Sequence, residues 1–338
     1  LSLRRQRQMC IRDSFCSLLI GTIINTIGTQ FHIPFLTMAV ATVNDTQYTV
    51  GSLASAMSGP AMAVAIGYAL HCPPLVLFSL ITVGFASNAL GGAGGPLAVL
   101  FVAIVAAEIG KAVSKETKID ILVTPLVTIG VGVGLSAWWA PALGKAAMKV
   151  GSVIMWATDL QPFFMGILVS VFVGIALTLP ISSAAICAAL GLTGLAGGAA
   201  VAGCCANMVG FAVLSFRENK WGGLFAQGIG TSMLQIPNIM KRPLIWLPPT
   251  LASAILGPIA IIGPFHMTNN ATGSGMGTSG LVGQIMTYQT MVATESPVLV
   301  ILKIVLFHFL LPGLLSYVIY RGMRNMGYIK DGQMKLNV

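Results

Sequence analysis

Apolar runs long enough to cross a bilayer as helices follow one another along most of this chain, with few charges inside them. A helix needs about 20 apolar residues to span the hydrocarbon. Such runs cover roughly 15–43, 52–70, 74–90, 96–109, 121–143, 163–189, 190–215, 221–236, 245–265 and 298–320. A water-soluble fold is excluded by the surface it would need. Asp, Glu, Lys and Arg make up 8% of 338 residues, against roughly 25% in soluble domains. The runs lack the ten-residue alternation of a membrane barrel, so strands are not expected. The expected fold class is all-α: a polytopic membrane protein with about 8–10 membrane segments, some re-entrant or interfacial.

Charge tests how these segments are threaded. The formal net charge is +9, but the basic residues sit in short clusters between apolar runs, the pattern of the positive-inside rule rather than of a nucleic-acid surface. The clusters are Lys111, Lys115 and Lys118; Arg217 and Lys220; Lys241 and Arg242; and Arg321, Arg324, Lys330 and Lys335. Simple crossing puts them on conflicting sides, with three segments between the first two clusters and one between the second and third. At least one segment in each conflicting interval is therefore expected not to cross. The 221–236 run is short, carries Gln227 and Gln235 and stops at Pro237, which suits a surface helix or re-entrant hairpin. Lys145 and Lys149 share a helix face at i,i+4 and suit an interfacial stretch.

Four stretches break the apolar pattern with glycine and neutral polar residues: 25–34, 87–96, 203–210 and 267–280, the last followed by Gln284 and Glu295. Backbone that leaves a helix at membrane depth must be buried in protein or line a watery cavity, and transporters use broken helices to present polar groups to a solute. Asn, Gln, Ser and Thr supply uncharged donors and acceptors, which suits a polyhydroxylated or similarly uncharged solute. The alternatives are close helix packing for 91–96 and 203–210 and a solvated turn-rich loop for 267–280. Candidate substrate-binding residues are Asn25, His32, Asn88, Asn207, His266, Asn269, Asn270 and Glu295. Glu295 is the most informative acid, because an ionisable group at membrane depth is expensive; Lys303 lies eight residues on and is placed to snorkel or pair. His308 is a weaker candidate.

Several classes are set aside. The six cysteines, at 10, 16, 72, 187, 204 and 205, have no CxxC spacing and read as small buried residues rather than a disulfide or metal framework. No HExxH, P-loop or G-x-S-x-G pattern occurs. GMGTSG at 275–280 matches a dinucleotide fingerprint only as a string, with no preceding strand. No cofactor, metal or catalytic residue is expected. Residues 1–14, LSLRRQRQMCIRDS, are basic and lack a signal-peptide core; they resemble translated sequencing-adapter sequence and are expected to be a non-native or disordered leader. One membrane domain is expected over 15–325, with a cytoplasmic tail at 326–338.

Four blocks, GTIINTIGTQFHIPFL, SNALGGAGGPLAVLFVAIVAAEIGK, TLPISSAAICAALGLTGLAGGAAVAGCCANMVGF and SFRENKWGGLFAQGIGTSMLQIPNI, resemble the phosphotransferase-system membrane component EIIC, in the branch that includes perfringolysin-regulator-like proteins. The likeness runs over about 16–325. It implies a multi-pass permease of the bacterial inner membrane, a homodimer in membrane lipid, with re-entrant hairpins and a moving substrate domain. It also implies a small-molecule substrate, a sugar or sugar derivative, and separate cytoplasmic EIIA- and EIIB-type phosphocarriers, since no phosphorylated domain is present in this sequence. Ala293-Thr294-Glu295-Ser296-Pro297 is similar to the family's Gly-Ile-Thr-Glu-Pro-type sugar motif, with Ser inserted before Pro. The alternatives are an ion-gradient-driven secondary transporter and a membrane sensor or regulator without net transport.

Overall fold

The computed structural model describes residues 20–43 and 46–336; the leader expected over 1–14 lies outside them. The chain divides into two compact units, Leu1–Met148 and Lys149–Val338. Five helical stretches among the described residues are long and apolar enough to cross a membrane, or six if one bent pair counts as a span. The all-α, polytopic membrane architecture expected from the apolar runs is what the chain adopts.

The first unit begins with α1 (Ile20–Gln30), which ends where His32 takes a left-handed backbone (φ 51°) and Pro34 opens the single turn α2 (Pro34–Thr37). Two three-residue strands, β1 (Ala41–Val43) and β2 (Thr46–Tyr48), pair antiparallel with Ala41 opposite Tyr48. α3 (Val50–Ala56) and α4 (Ser58–Ala69) form the pair bent by 44°. α5 (Pro74–Gly91) and α6 (Gly95–Val113) read as one apolar stretch of 40 residues, but the chain reverses at Gly92 (φ 50°). A Cβ on Gly95 would meet Asn88, and one on Gly110 would meet Val76, so the two helices run antiparallel, each about 27 Å long. Their shared core holds Leu80, Val83, Val99, Val102 and Ala106.

α7 (Asp120–Thr158) is continuous over 39 residues despite Pro125 and Pro141. Its first part packs in the first unit, where Ser87 and Ser136 hydroxyls meet at 2.7 Å. Lys145 and Lys149 are exposed one turn apart on it, part of a long helix rather than a separate interfacial one.

The second unit repeats one design. α8 (Pro162–Thr178) is followed by the short α9 (Ser183–Ala189) and then by α10 (Gly194–Leu214); α13 (Leu247–Ile261) is followed by the short α14 (Ala271–Ser274) and then by α15 (Val282–Met291). In between lie α11 (Phe216–Phe225), a π-helical turn at Ala226–Gly230, a 3-10 turn at Ser232–Gln235, and α12 (Ile236–Ile239). α16 (Pro297–Ile304), a π-helical segment Val305–Leu310 and α17 (Leu311–Asn325) complete the unit. α10 is its centre, buried along nearly its whole length. Small residues make this possible. Lipid removes the hydrophobic drive between helices, so close backbone approach supplies the attraction. A Cβ on Gly203 would strike the Ser170 carbonyl of α8, and one on Gly210 would meet the Ser316 hydroxyl of α17 at 2.6 Å. The 203–210 run is thus uninterrupted helix, and its glycines serve packing.

The 221–236 run contributes no span. It is broken into short turns that face the chain's end. Asn219 Nδ2 donates to the Met334 carbonyl at 2.9 Å, Gln235 Nε2 to the same carbonyl at 3.0 Å, and Asn238 Nδ2 to the Lys335 carbonyl at 3.1 Å. The basic clusters at 217–220, 241–242 and 321–335 therefore share one end of this unit, as the charge pattern required of a non-crossing segment. Ile329 and Met334 of the tail are buried there with Phe211 and Ile245.

Candidate functional site

The two broken segments of the second unit meet. The segment 179–193, around α9, ends on Gly194 at the start of α10, which a two-bond bridge joins to the segment 262–281 around α14: Gly194 N donates to the Asn269 carbonyl at 2.9 Å, and Asn269 N to the Gly194 carbonyl at 3.2 Å. The Ser183 hydroxyl donates to the Gly275 carbonyl at 2.8 Å. Each short helix carries its own cap: Ser182 Oγ accepts from Ala185 N at 3.2 Å, and Asn270 Oδ1 from Gly273 N at 2.9 Å. These bonds satisfy backbone that has left the helix at depth. Met267, Asn269, Ser274 and Thr278 are buried, so the 267–280 run is packed inside the unit rather than solvated. Gly198 permits the crossing, since a Cβ there would strike the Met267 carbonyl.

Polar side chains stand at successive levels along α10. At its start, Asn269 Nδ2 donates to the Gly283 carbonyl at 3.2 Å while its Oδ1 accepts from Asn270 N at 2.8 Å. One level on, Gln284 Nε2 donates to His308 Nδ1 at 3.2 Å and lies 3.4 Å from Cys205 Sγ. An amide nitrogen only donates, so Nδ1 accepts and the imidazole proton sits on Nε2. Gln284 Oε1 and His308 Nε2 are both buried without a partner in the structure. His308 rides on the π-helical segment Val305–Leu310; the extra residue in such a turn re-aims side chains, and these turns recur at functional sites. Two residues past Cys205 on α10, Asn207 Oδ1 accepts from Trp246 Nε1 at 3.2 Å and Asn207 Nδ2 donates to the Gly203 carbonyl at 3.1 Å, while Thr178 Oγ1 lies 2.9 Å from Ser232 Oγ. At 1.5 Å rise per residue the Asn207 level lies about 20 Å from the start of α10.

Glu295 is held by Lys303, whose Nζ donates to Glu295 Oε1 and to the Phe265 carbonyl, each at 2.6 Å. Glu295 Oε2 is buried without a partner. One ammonium thus ties the acid before α16 to the start of the second broken segment. His266, next to Phe265, is exposed with a left-handed backbone (φ 38°).

The remaining sequence-predicted residues lie in the first unit. Asn25 Oδ1 accepts from Thr49 Oγ1 at 2.7 Å, buttressing the capping box of α3. Asn88 Nδ2 donates to the Ser58 hydroxyl at 3.4 Å. His32 is exposed at the end of α1. Within the second unit the structure bonds Asn270 N to Asn269 Oδ1 and gives Asn207 and Glu295 partners of their own, Trp246 and Lys303. The residue pattern noted Gln284 and His308 separately, His308 as a weaker candidate, and did not pair them. Their only signals are a histidine in a strongly apolar helix and a glutamine just past a glycine run, each unremarkable alone.

No curated protein and no solved structure matches this chain. A family model described as "Phosphotransferase system, EIIC" matches residues 13–336.

Proposed function

Because this chain belongs to the phosphotransferase-system EIIC family, and is therefore a multi-pass membrane permease working with that system's cytoplasmic EIIA and EIIB proteins, we propose that it carries an uncharged polyhydroxylated solute. The solute is of the sugar type, and it passes along α10 in the second unit. The observation that carries this reading is the Gln284–His308 pair. The acceptor Gln284 Oε1 and the donor His308 Nε2 are both buried without partners on two side chains that already touch, and hydroxyl groups, which both donate and accept, are their complement. The other polar side chains met along α10, Asn207, Thr178, Ser232, Asn269 and Asn270, are all neutral, and the acid Glu295 is matched by Lys303. Asn25, His32 and Asn88 are given no part here, since all three lie in the first unit and the Gln284–His308 pair in the second. His266 and Glu295, at the mouth of the second broken segment, are proposed to act in entry. Phosphorylation is the partners' work, in the inner membrane of a bacterium.

The test is a thermal-shift and binding screen of purified protein against a panel of sugars and organic acids. Phosphoenolpyruvate-dependent uptake is then measured in proteoliposomes with the phosphocarriers added. A sugar is expected to bind, and Gln284→Leu and His308→Asn are each expected to weaken it by about tenfold to a hundredfold, the loss set by a hydrogen bond left unmade in a buried site. Preferential binding of an organic acid, or sugar binding indifferent to both substitutions, would sink the reading. A second reading is favoured by the unpartnered Glu295 Oε2: an ion-gradient-driven transporter with Glu295 as the ion or proton site. It predicts uptake on a gradient alone, lost in Glu295→Gln. Binding without flux in either assay identifies a sensor.

A further inference from the structure

At the basic end of the second unit, where α10 gives way to α11, three arginines line one cavity of about 560 Å³. Arg217 comes from α11, and Arg321 and Arg324 from the last turns of α17. Tyr317 and Tyr320 stand beside them, and Leu214, Phe216 and Leu224 form an apolar wall.

The positive charge of this cavity is only partly neutralised. Arg324 pairs with the exposed Asp331. Arg217 and Arg321 take part in none of the ion pairs found among the described residues. Glu218, next to Arg217 in the chain, has both oxygens engaged by the tail: they accept from Gly332 N at 2.7 Å and Met334 N at 2.9 Å. The nearby acid is thus committed to the tail, and two guanidinium groups are left for something else.

The shape of the approach says what. On α17, Leu314, Tyr317, Val318 and Arg321 follow the i, i+3, i+4, i+7 spacing of one helix face, and all four are exposed. In a helix that spans a membrane this is an acyl-chain track running down to an arginine at the interface. Trp221, stacked on Phe225 and edge-on to Phe216, is exposed beside the cavity, as aromatic residues are at headgroup depth. Arginine forks match phosphate oxygens two at a time, and basic pockets between membrane helices take anionic headgroups.

We propose that the Arg217–Arg321–Arg324 cavity is a specific site for an anionic glycerophospholipid, with its phosphodiester on the arginines and one acyl chain along the Leu314–Val318 face of α17. A soluble phosphate would need the arginines but not the apolar track that leads to them.

The experiment compares dioleoylphosphatidylglycerol with dioleoylphosphatidylcholine, titrated onto the full-length protein in detergent and read by native mass spectrometry, with thermal melting alongside. Wild type is expected to retain phosphatidylglycerol preferentially and to melt higher with it. The double variant R217Q/R321Q is expected to lose that preference by roughly tenfold or more. The charge-matched control K145Q/K149Q, on the exposed face of α7, is expected to keep it. Should R217Q/R321Q not fold, R217K/R321K serves instead; it keeps the charge, loses the fork geometry, and is expected to lose severalfold. The proposal is overturned if control and pocket variants lose the preference equally, since the effect is then diffuse charge. It is equally overturned if inorganic phosphate at millimolar concentration displaces the lipid, since the site is then one for a soluble anion.

Discussion

Lys303 shows how much one side chain decides in a low-dielectric setting. Its side chain is 6% exposed, and that of Glu295 is 21% exposed. Breaking a buried pair by removing one partner leaves an uncompensated charge, at a cost of about 3–5 kcal/mol. Lys303→Met is therefore expected to destabilise strongly in thermal melting, and Lys303→Met/Glu295→Gln to recover much of the loss. Additive single and double effects in that cycle would show that the pair holds nothing. The spacing of these two residues raised pairing as a possibility, but the second bond of Lys303, to the Phe265 carbonyl 38 residues away, has no local signature. The same holds for His308. Its sequence neighbours are apolar like those of any packing histidine, and only the π-helical turn and the approach of α15 bring Gln284 to it.

At the scale of elements, the glycines of α10 do the assembling. Those at 198 and 203 face backbone carbonyls of neighbouring segments, which cannot step aside as a side chain can. Gly203→Ala is expected to push α8 from α10 and to destabilise by about 1–3 kcal/mol, the range for overpacking a filled interior. Gly222, in α11, has open space where a Cβ would stand. Gly222→Ala is therefore expected to be neutral or to stabilise by about 0.5–1 kcal/mol. Melting curves of the two variants check this, and similar losses in both would mean that helix approach is not what these glycines secure. Apolar length located these helices well, because a span is a local property. It did not separate α8 from α9: the 163–189 run is apolar throughout, but the helix stops at Thr178, where Leu179 before Pro180 takes an extended backbone.

For the whole molecule, the testable consequence is sidedness. The bonds of Asn219, Gln235 and Asn238 to the tail require residues 220 and 335 to lie at one membrane face. Lys220→Cys and Lys335→Cys are expected to react with an impermeant maleimide from the same side of oriented vesicles, and labelling from opposite sides would refute the non-crossing reading of 221–236. Membrane residence, helical class and family were legible in the chain alone. Hydropathy over about 20 residues, loop charge and long sequence blocks are all local, and no packing partner alters them. The meeting of two broken segments at Gly194 and Asn269, the pairing of Gln284 with His308, and the gathering of three basic clusters at one end came only with the tertiary structure. Each joins residues distant in sequence, and their meeting depends on how closely glycine and alanine let the helices approach.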